Sequence, residues 1–127
     1  MSCTQTNGSK GYSKVLTIAI PSYNVERYLE HGLASYCSPK LESGLEVIVV
    51  DDGSTDATAL IAESFVKRSP SIFTVISKEN GGHGSTINAA LQQARGKYFR
   101  VVDGDDWVCT QGLIDLVERL SSLDCDL

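Results

Sequence analysis

The feature that most constrains the fold is a repeated alternation of short apolar segments with longer amphipathic ones. The apolar, β-branched runs have the length of strands and cover residues 15–20, 45–51, 72–76 and 98–102. The segments that follow them repeat their apolar residues at helical spacing and cover residues 26–36, 55–67, 85–94 and 112–123. Strands that alternate with helices form parallel sheets with right-handed crossovers. We therefore predict a layered α/β fold with a mainly parallel sheet flanked by helices.

Size and charge exclude several classes of protein. The chain has 127 residues, of which 42% are hydrophobic and 21% charged, a balance typical of one globular domain. No apolar run approaches the roughly 20 residues that cross a bilayer. The net charge is −5 and no Lys/Arg cluster stands out, which argues against a nucleic-acid partner. Residues 1–14 are polar and lack the apolar segment of a secretory signal, so we predict a flexible leader there and a functional region over residues 15–127.

The cysteines favour a reducing compartment. Cys3, Cys37, Cys109 and Cys125 are scattered and form no Cys-x-x-Cys pair. The spacing and the partner histidine of a structural zinc site are both missing. We expect reduced thiols in a cytoplasmic protein.

A polar segment follows each predicted strand. These segments are residues 21–24, 51–54, 80–84 and 103–106. Ligands of parallel α/β sheets bind beyond the carboxyl ends of the strands. Because all four segments come after a strand, we expect them on one rim and predict that they form the binding site.

The acidic segment carries three carboxylates within four residues, on Asp103, Asp105 and Asp106. Their repulsion is relieved when a cation or hydrogen-bond donors approach, and Gly104 allows a tight turn that lets the side chains converge. Mg²⁺ is commonly held by one or two carboxylates together with substrate phosphates. The alternative is a solvated acidic turn that caps the following helix.

Two further segments have open interpretations. A carboxylate on Asp51 or Asp52 could accept from a base or ribose group, or could simply serve a helix N-terminus. The glycine-rich residues 80–84 precede a helix N-terminus, which is an anion site, or form a flexible connector. They lack the lysine of a P-loop. Within them, His83 is a candidate contact to a phosphate or another part of a bound ligand. Ser22 has no nearby histidine in the sequence, so a hydrolase triad has no support.

Four stretches together resemble the inverting glycosyltransferases of family 2. They are VLTIAIPSYN (residues 15–24), VIVVDDGSTDAT (47–58), ENGGHGSTIN (79–88) and ARGKYFRVVDGDDW (94–107), in the family's order. The resemblance implies the Rossmann-like GT-A fold of nucleotide-diphospho-sugar transferases. It also implies transfer of a sugar from a nucleotide diphosphate, often UDP, to a saccharide, lipid or cell-wall acceptor.

The resemblance assigns roles to individual residues. It implies a nucleotide pocket lined by Pro21, Ser22 and Tyr23. Asp52 would bond a uracil-type base, and Asp103 the ribose or sugar side. Asp105, with Asp103, would hold Mg²⁺ or Mn²⁺ against the diphosphate, because a cation reverses the local sign of an acidic site.

Two departures from the family qualify these expectations. Many members carry an arginine where this chain has Ile87, although Asn88 of the same signature is present. The family's general base belongs to a later acidic motif that residues 1–127 do not contain. We therefore expect the donor-binding part of an enzyme, without the acceptor half and inactive in isolation. Such an enzyme would be cytoplasmic and, where its acceptor is lipid-linked, would dock at the inner membrane face without spanning it.

Three other functions are alternatives to this interpretation. A non-catalytic nucleotide-sugar-binding module would need the same residues. A nucleotidyltransferase of related fold would carry a basic glycine-rich loop after the first strand, where residues 21–24 read Pro-Ser-Tyr-Asn. A phospho-receiver domain would place its acidic pair after the first strand, whereas Asp51 and Asp52 follow the second.

Overall fold

A computed structural model describes residues 4–5 and 13–124 and shows one mainly parallel sheet. Its strands, in chain order, are β1 Thr4–Gln5, β2 Lys14–Ser22, β3 Leu45–Asp52, β4 Phe73–Lys78 and β5 Gly96–Val101. The spatial order is β1-β5-β2-β3-β4. β5, β2, β3 and β4 run parallel, and β1 pairs antiparallel with β5. The predicted α/β class with a mainly parallel sheet is confirmed.

Helices cover both faces of the sheet. They are α1 Glu26–Ala34, α2 Thr58–Arg68, α3 His83–Gln93 and α4 Thr110–Asp124, with a 3₁₀ turn at Pro39–Leu41. On one face the core is formed by side chains from α1, α2 and α4, such as Leu33, Phe65 and Leu113. On the other face α3 packs Ala90 against Ala19 and Ile48. All eight residues of β3 are buried, as expected of a strand covered on both sides.

Strand β2 extends further than the sequence predicts. The prediction ends this strand before Pro21, but Pro21 and Ser22 belong to β2 and pair with Val50 and Asp51 of β3. The ladder between β2 and β5 ends at Ala19, whose carbonyl oxygen accepts from the Val102 amide. Successive strand residues alternate their hydrogen-bonding side, so Pro21 turns its missing N–H toward the side where β5 has already ended.

Other element boundaries differ by a few residues. α1 ends two residues before its predicted end, and β5 is shifted toward its amino end. α2 begins at Thr58 rather than residue 55, because the Asp56 carboxylate accepts the Thr58 amide and hydroxyl and thereby fixes the first turn there. α3 begins at His83 rather than residue 85, and β4 continues to Lys78. Both of these boundaries lie beside Asp52, which accepts from Lys78 at the end of β4 and from Gly81 and Gly82 just before α3.

Most of the predicted leader, residues 1–14, lies outside the described residues. Two of its residues, Thr4 and Gln5, pair with Phe99 and Tyr98 of β5. Lys14, assigned to the leader, begins β2 instead.

A buried carboxylate joins three segments at the amino edge of the sheet. Glu46 of β3 is 2% exposed. Its carboxylate accepts from the Thr17 hydroxyl at 2.8 Å and from the Arg95 amide and Nε at 2.8 and 2.7 Å. The Thr17 hydroxyl in turn accepts the Gly96 amide at 2.9 Å. Both carboxylate oxygens of Glu46 therefore accept hydrogen bonds, as a buried charge requires.

Replacing Glu46 with alanine should lower the free energy of unfolding by about 2 kcal/mol, because buried donors then lose their acceptor. Urea denaturation of the 127-residue chain measures the change. The control is Glu63→Ala on the exposed side of α2, which should stay within about 0.5 kcal/mol of the unchanged chain. Equal effects of the two substitutions would contradict a structural role for Glu46.

Candidate functional site

The loops that follow β2 and β3 are fastened to each other at the carboxyl edge of the sheet. Asn24 has a φ of 53°, a left-handed conformation that asparagine tolerates better than most residues. Its Oδ1 accepts the Thr55 amide at 2.8 Å, and its own amide donates to the Ser54 hydroxyl at 3.0 Å. The first residue of α1 is anchored likewise, since the Ala57 amide donates to Glu26 Oε1 at 2.9 Å. These reciprocal bonds hold the two loops together at the carboxyl edge of the sheet.

Asp52, the last residue of β3, binds the glycine-rich loop. Its Oδ1 accepts the Gly81 amide at 2.8 Å and the Lys78 ammonium at 3.1 Å, and its Oδ2 accepts the Gly82 amide at 3.1 Å. The Gly81 hydrogen bond is the main cause that lowers the pKa of Asp52 below its ordinary value of 3.8. Because the pKa is depressed, the stabilisation exists above the ordinary value and disappears as the pH falls through the folded-state value. Asp52 is thus an anion throughout the neutral range.

Asp51 and Asp52 have separate roles, although they are neighbours in the chain. Asp51 Oδ1 accepts the Ser54 amide at 3.0 Å and so stabilises its own turn. One interpretation of the sequence is that Asp51 or Asp52 serves the N-terminus of a helix, and Asp52 does so for a helix distant in the chain. Gly81 and Gly82 lie immediately before α3, so Asp52 supports the start of α3 and not that of α2, the next helix in sequence.

A cleft of about 200 Å³ opens beside Asp52. It is lined by Pro21, Ser22, Tyr23, Asp52, His83 and Thr86. The first five were selected from the sequence, and the structure brings them together. Thr86 was missed; its hydroxyl donates to the His83 carbonyl at 2.6 Å. The three-residue spacing of His83 and Thr86, once placed on a helix, was the signal available for finding it.

The acidic segment forms a turn with converging carboxylates. The Asp106 amide donates to the Asp103 carbonyl at 3.0 Å and closes the turn. Asp103, Asp105 and Asp106 are exposed, and one carboxylate oxygen of each lies within 4.8 Å of the others. Carboxylate oxygens are ligands that Mg²⁺ and Mn²⁺ prefer, so this cluster has the right donor chemistry for a divalent cation. The family resemblance assigns the metal to Asp103 and Asp105, and the structure places the Asp106 carboxylate within the same distance.

Close backbone packing fixes the acidic turn beside the cleft. A Cβ placed on Gly104 would lie 2.8 Å from the Ser22 hydroxyl and 3.2 Å from the Pro21 carbonyl oxygen. A Cβ on Gly32 of α1 would lie 2.5 Å from the Asp106 carbonyl oxygen. Ser22 therefore lines the cleft and also supports the turn, so the two features adjoin.

The position where many family members carry an arginine is apolar here. Ile87 packs against the hydrophobic cluster between α3 and the sheet. This position contributes to the core and supplies no cation to the rim. A cationic group that no sequence motif indicates, the Lys78 ammonium, lies at the Asp52 carboxylate.

Replacing Gly32 with alanine should destabilise the chain by about 1–3 kcal/mol, because the Asp106 carbonyl must move to admit the new methyl group. Chemical denaturation tests this. The control is Gly112→Ala in α4, where the nearest atom would lie at 3.7 Å and stabilisation of about 0.5–1 kcal/mol is expected. If Gly32→Ala stabilises the chain as Gly112→Ala does, the close packing of α1 on the turn is wrong.

Among the described residues, no helix is long and apolar enough to cross a membrane.

The chain matches a known protein family and several of its members in sequence. The model of the family described as Glycosyl transferase family 2 matches residues 17–127. The uncharacterized glycosyltransferase EpsJ of Bacillus subtilis is 37% identical over 113 residues, which is 89% of this chain and 32% of EpsJ. The poly(ribitol-phosphate) beta-N-acetylglucosaminyltransferase TarS of Staphylococcus aureus is 36% identical over 102 residues, which is 78% of this chain and 18% of TarS. The chain thus spans a third or less of the length of these two relatives.

Solved structures share the fold. Residues 1–349 of S. aureus TarS in complex with UDP-GlcNAc superpose with a TM-score of 0.72 at 34% identity, covering 85% of this chain and 31% of that one. The mannosyltransferase PcManGT from Pyrobaculum calidifontis, in complex with GDP-Man and Mn²⁺, gives a TM-score of 0.69 at 26% identity. That match covers 90% of this chain and 34% of the mannosyltransferase. Both neighbours have the GT-A fold, and this chain therefore has it too.

Proposed function

Because the chain belongs to glycosyl transferase family 2, we propose that it binds the donor for an enzyme that transfers a sugar from a nucleotide diphosphate to an acceptor hydroxyl. One observation carries this proposal: the Asp52 cleft and the three-carboxylate turn adjoin at the same edge of the sheet. In a nucleotide diphosphate sugar, the base fits the cleft and the diphosphate fits the three-carboxylate turn. The TarS and PcManGT structures, with UDP-GlcNAc and GDP-Man, support this class of donor.

In this proposal the nucleotide lies in the cleft. The base lies against Pro21 and Tyr23, and the ionised Asp52 accepts an N–H of a uracil-type base. Asp103 binds the ribose or sugar side, where the acidic turn adjoins Ser22. His83, exposed at the N-terminus of α3, contacts the phosphates, since N–H groups at a helix start attract anions.

The acidic turn holds Mg²⁺ or Mn²⁺ through Asp105 and Asp103, with the Asp106 carboxylate beside them. When bound, the cation offsets the negative charge of the diphosphate and stabilises it as a leaving group. The residues of the turn contribute by keeping their carboxylates converged, because Gly32 and Gly104 hold the backbone in place. The Mn²⁺ in the mannosyltransferase neighbour supports this assignment.

We propose that the reaction inverts the anomeric centre. The acceptor oxygen forms a bond to the anomeric carbon while the bond from that carbon to the diphosphate oxygen breaks on the opposite face. A general base must take the proton of the acceptor hydroxyl. We assign no such base within residues 13–124 and propose that it belongs to the longer enzyme. The acceptor class is a saccharide, a lipid-linked saccharide or a cell-wall polymer.

Nucleotide diphosphate and divalent cation should bind cooperatively. The diphosphate is repelled by the acidic turn until a cation arrives, and Mg²⁺ prefers to share carboxylates with phosphate. Each ligand should therefore raise the affinity of the other by the same factor. Calorimetric titration of UDP in Mn²⁺, in Mg²⁺ and in chelator measures this coupling.

Asp105→Ala should remove the metal dependence of UDP binding and leave the circular dichroism spectrum unchanged. Asp115→Ala, which removes an exposed carboxylate on α4, is the matched control and should keep the dependence. Equal UDP affinity with and without metal in the unmutated chain would refute the metal site. The solvated-turn interpretation would then apply to Asp103, Asp105 and Asp106.

Asp52→Asn should weaken nucleotide binding by about 1–3 kcal/mol, because an amide donor then faces the donor of the base and the loop amides. The loss should also occur with free uridine in chelator, as measured by NMR titration. Glu79→Gln removes the same charge from an exposed neighbouring residue and should have little effect. A loss confined to diphosphate-containing ligands would show that Asp52 serves the metal site and does not contact the base.

A further inference from the structure

Lys78, the last residue of β4, directs its ammonium group at the carboxylate that lines the cleft. Its Nζ lies 3.1 Å from Asp52 Oδ1 and 2.7 Å from the Glu79 carbonyl oxygen. The pairing follows from strand register, since Asp52 and Lys78 are directly opposed on parallel strands. The side chains are 8% and 22% exposed, respectively, so solvent screens the ion pair only in part.

The glycine-rich loop closes over this ion pair. A Cβ on Gly81 would lie 2.8 Å from Lys78 Nζ, so the loop passes directly over the ammonium group. The Gly81 and Gly82 amides bind the two oxygens of the same carboxylate. Lys78, the loop and Asp52 therefore form one hydrogen-bonded unit at the edge of the cleft.

This unit leaves Asp52 with a single free acceptor position. An ionised carboxylate has about four lone-pair positions, two on each oxygen. Oδ1 accepts from Lys78 and from Gly81, which fills both of its positions. Oδ2 accepts from Gly82 and keeps one position for a ligand.

We propose that Lys78 is a positioning residue that makes the cleft select a base with a single imide N–H, uracil or thymine, over guanine. This inference rests on the proposed function, in which Asp52 contacts the base of the donor. Uracil and thymine present one N–H between two carbonyl oxygens, which matches the one free position on Oδ2. Guanine presents two N–H donors side by side and would leave one of them facing the filled Oδ1. Sites reject ligands strongly when a buried polar group is left unpaired.

The test compares UDP with GDP on the 127-residue chain at one fixed Mn²⁺ concentration. The diphosphate is common to both ligands, so the GDP dissociation constant divided by the UDP dissociation constant reports the contribution of the base. We expect GDP to bind about tenfold or more weakly than UDP, from the unpaired donor. Lys78→Met frees one position on Oδ1 and loosens the loop that covers it. Guanine then gains an acceptor, so the ratio of the GDP to the UDP dissociation constant should fall at least about threefold.

Two further variants and a second measurement separate positioning from a general structural effect. Lys78→Arg restores a cationic donor and should restore the preference for UDP. Lys67→Met removes an exposed lysine from α2 and should leave the ratio unchanged. Amide hydrogen exchange at Gly81 and Gly82 should accelerate in Lys78→Met and recover in Lys78→Arg, since the ammonium group helps to hold the loop.

The outcomes are distinguishable. A ratio that is unchanged in Lys78→Met refutes the role of Lys78, even if the unmutated chain prefers UDP. A ratio near one in the unmutated chain refutes selection against guanine, whereas the proposed donor-binding function stands. Failure of both nucleotides to bind refutes the proposed function and this inference with it.

Discussion

The arrangement of the site depends on how an ionised carboxylate is accommodated at the end of a fully buried strand. Asp52 is 6% exposed, and a charge with so little access to water must be satisfied by hydrogen bonds. The donors come from the Gly81 and Gly82 amides and from Lys78. Because these bonds fix the backbone just before α3, they also determine where His83 and the first turn of α3 lie.

The acidic turn is held by a different constraint, the close approach of backbones. Gly32 lets α1 contact the Asp106 carbonyl, and Gly104 lets the turn lie on Ser22. The carboxylates of Asp103, Asp105 and Asp106 are consequently exposed together at the rim. A cluster of like charges is tolerated there because it is exposed to water, and the same exposure leaves the oxygens available to a cation.

The order of strands and helices, and the edge of the sheet at which the polar loops meet, could be predicted from the sequence, because both are set by local periodicity and chain order. A buried strand such as β3 is apolar almost throughout, and parallel strands necessarily bring their following loops to one edge. The boundaries were harder to predict because they depend on contacts between distant segments. Pro21 continues β2 only because β5 has already ended, and α2 begins at Thr58 because Asp56 binds its amide.

The sequence by itself determined the α/β class and which polar residues reach the carboxyl edge, including Tyr23, Asp52 and His83. Only the tertiary structure decided the hydrogen-bond partners of those residues. Asp51 and Asp52 are neighbouring residues of the same type. Asp51 nevertheless stabilises its own turn, whereas Asp52 accepts from an amide 29 residues away. The reason is that a side chain's chemistry is fixed by its type, whereas its partners depend on strand register and loop packing across the fold. Lys78 reaches Asp52 for that reason, and no local pattern in the sequence records it.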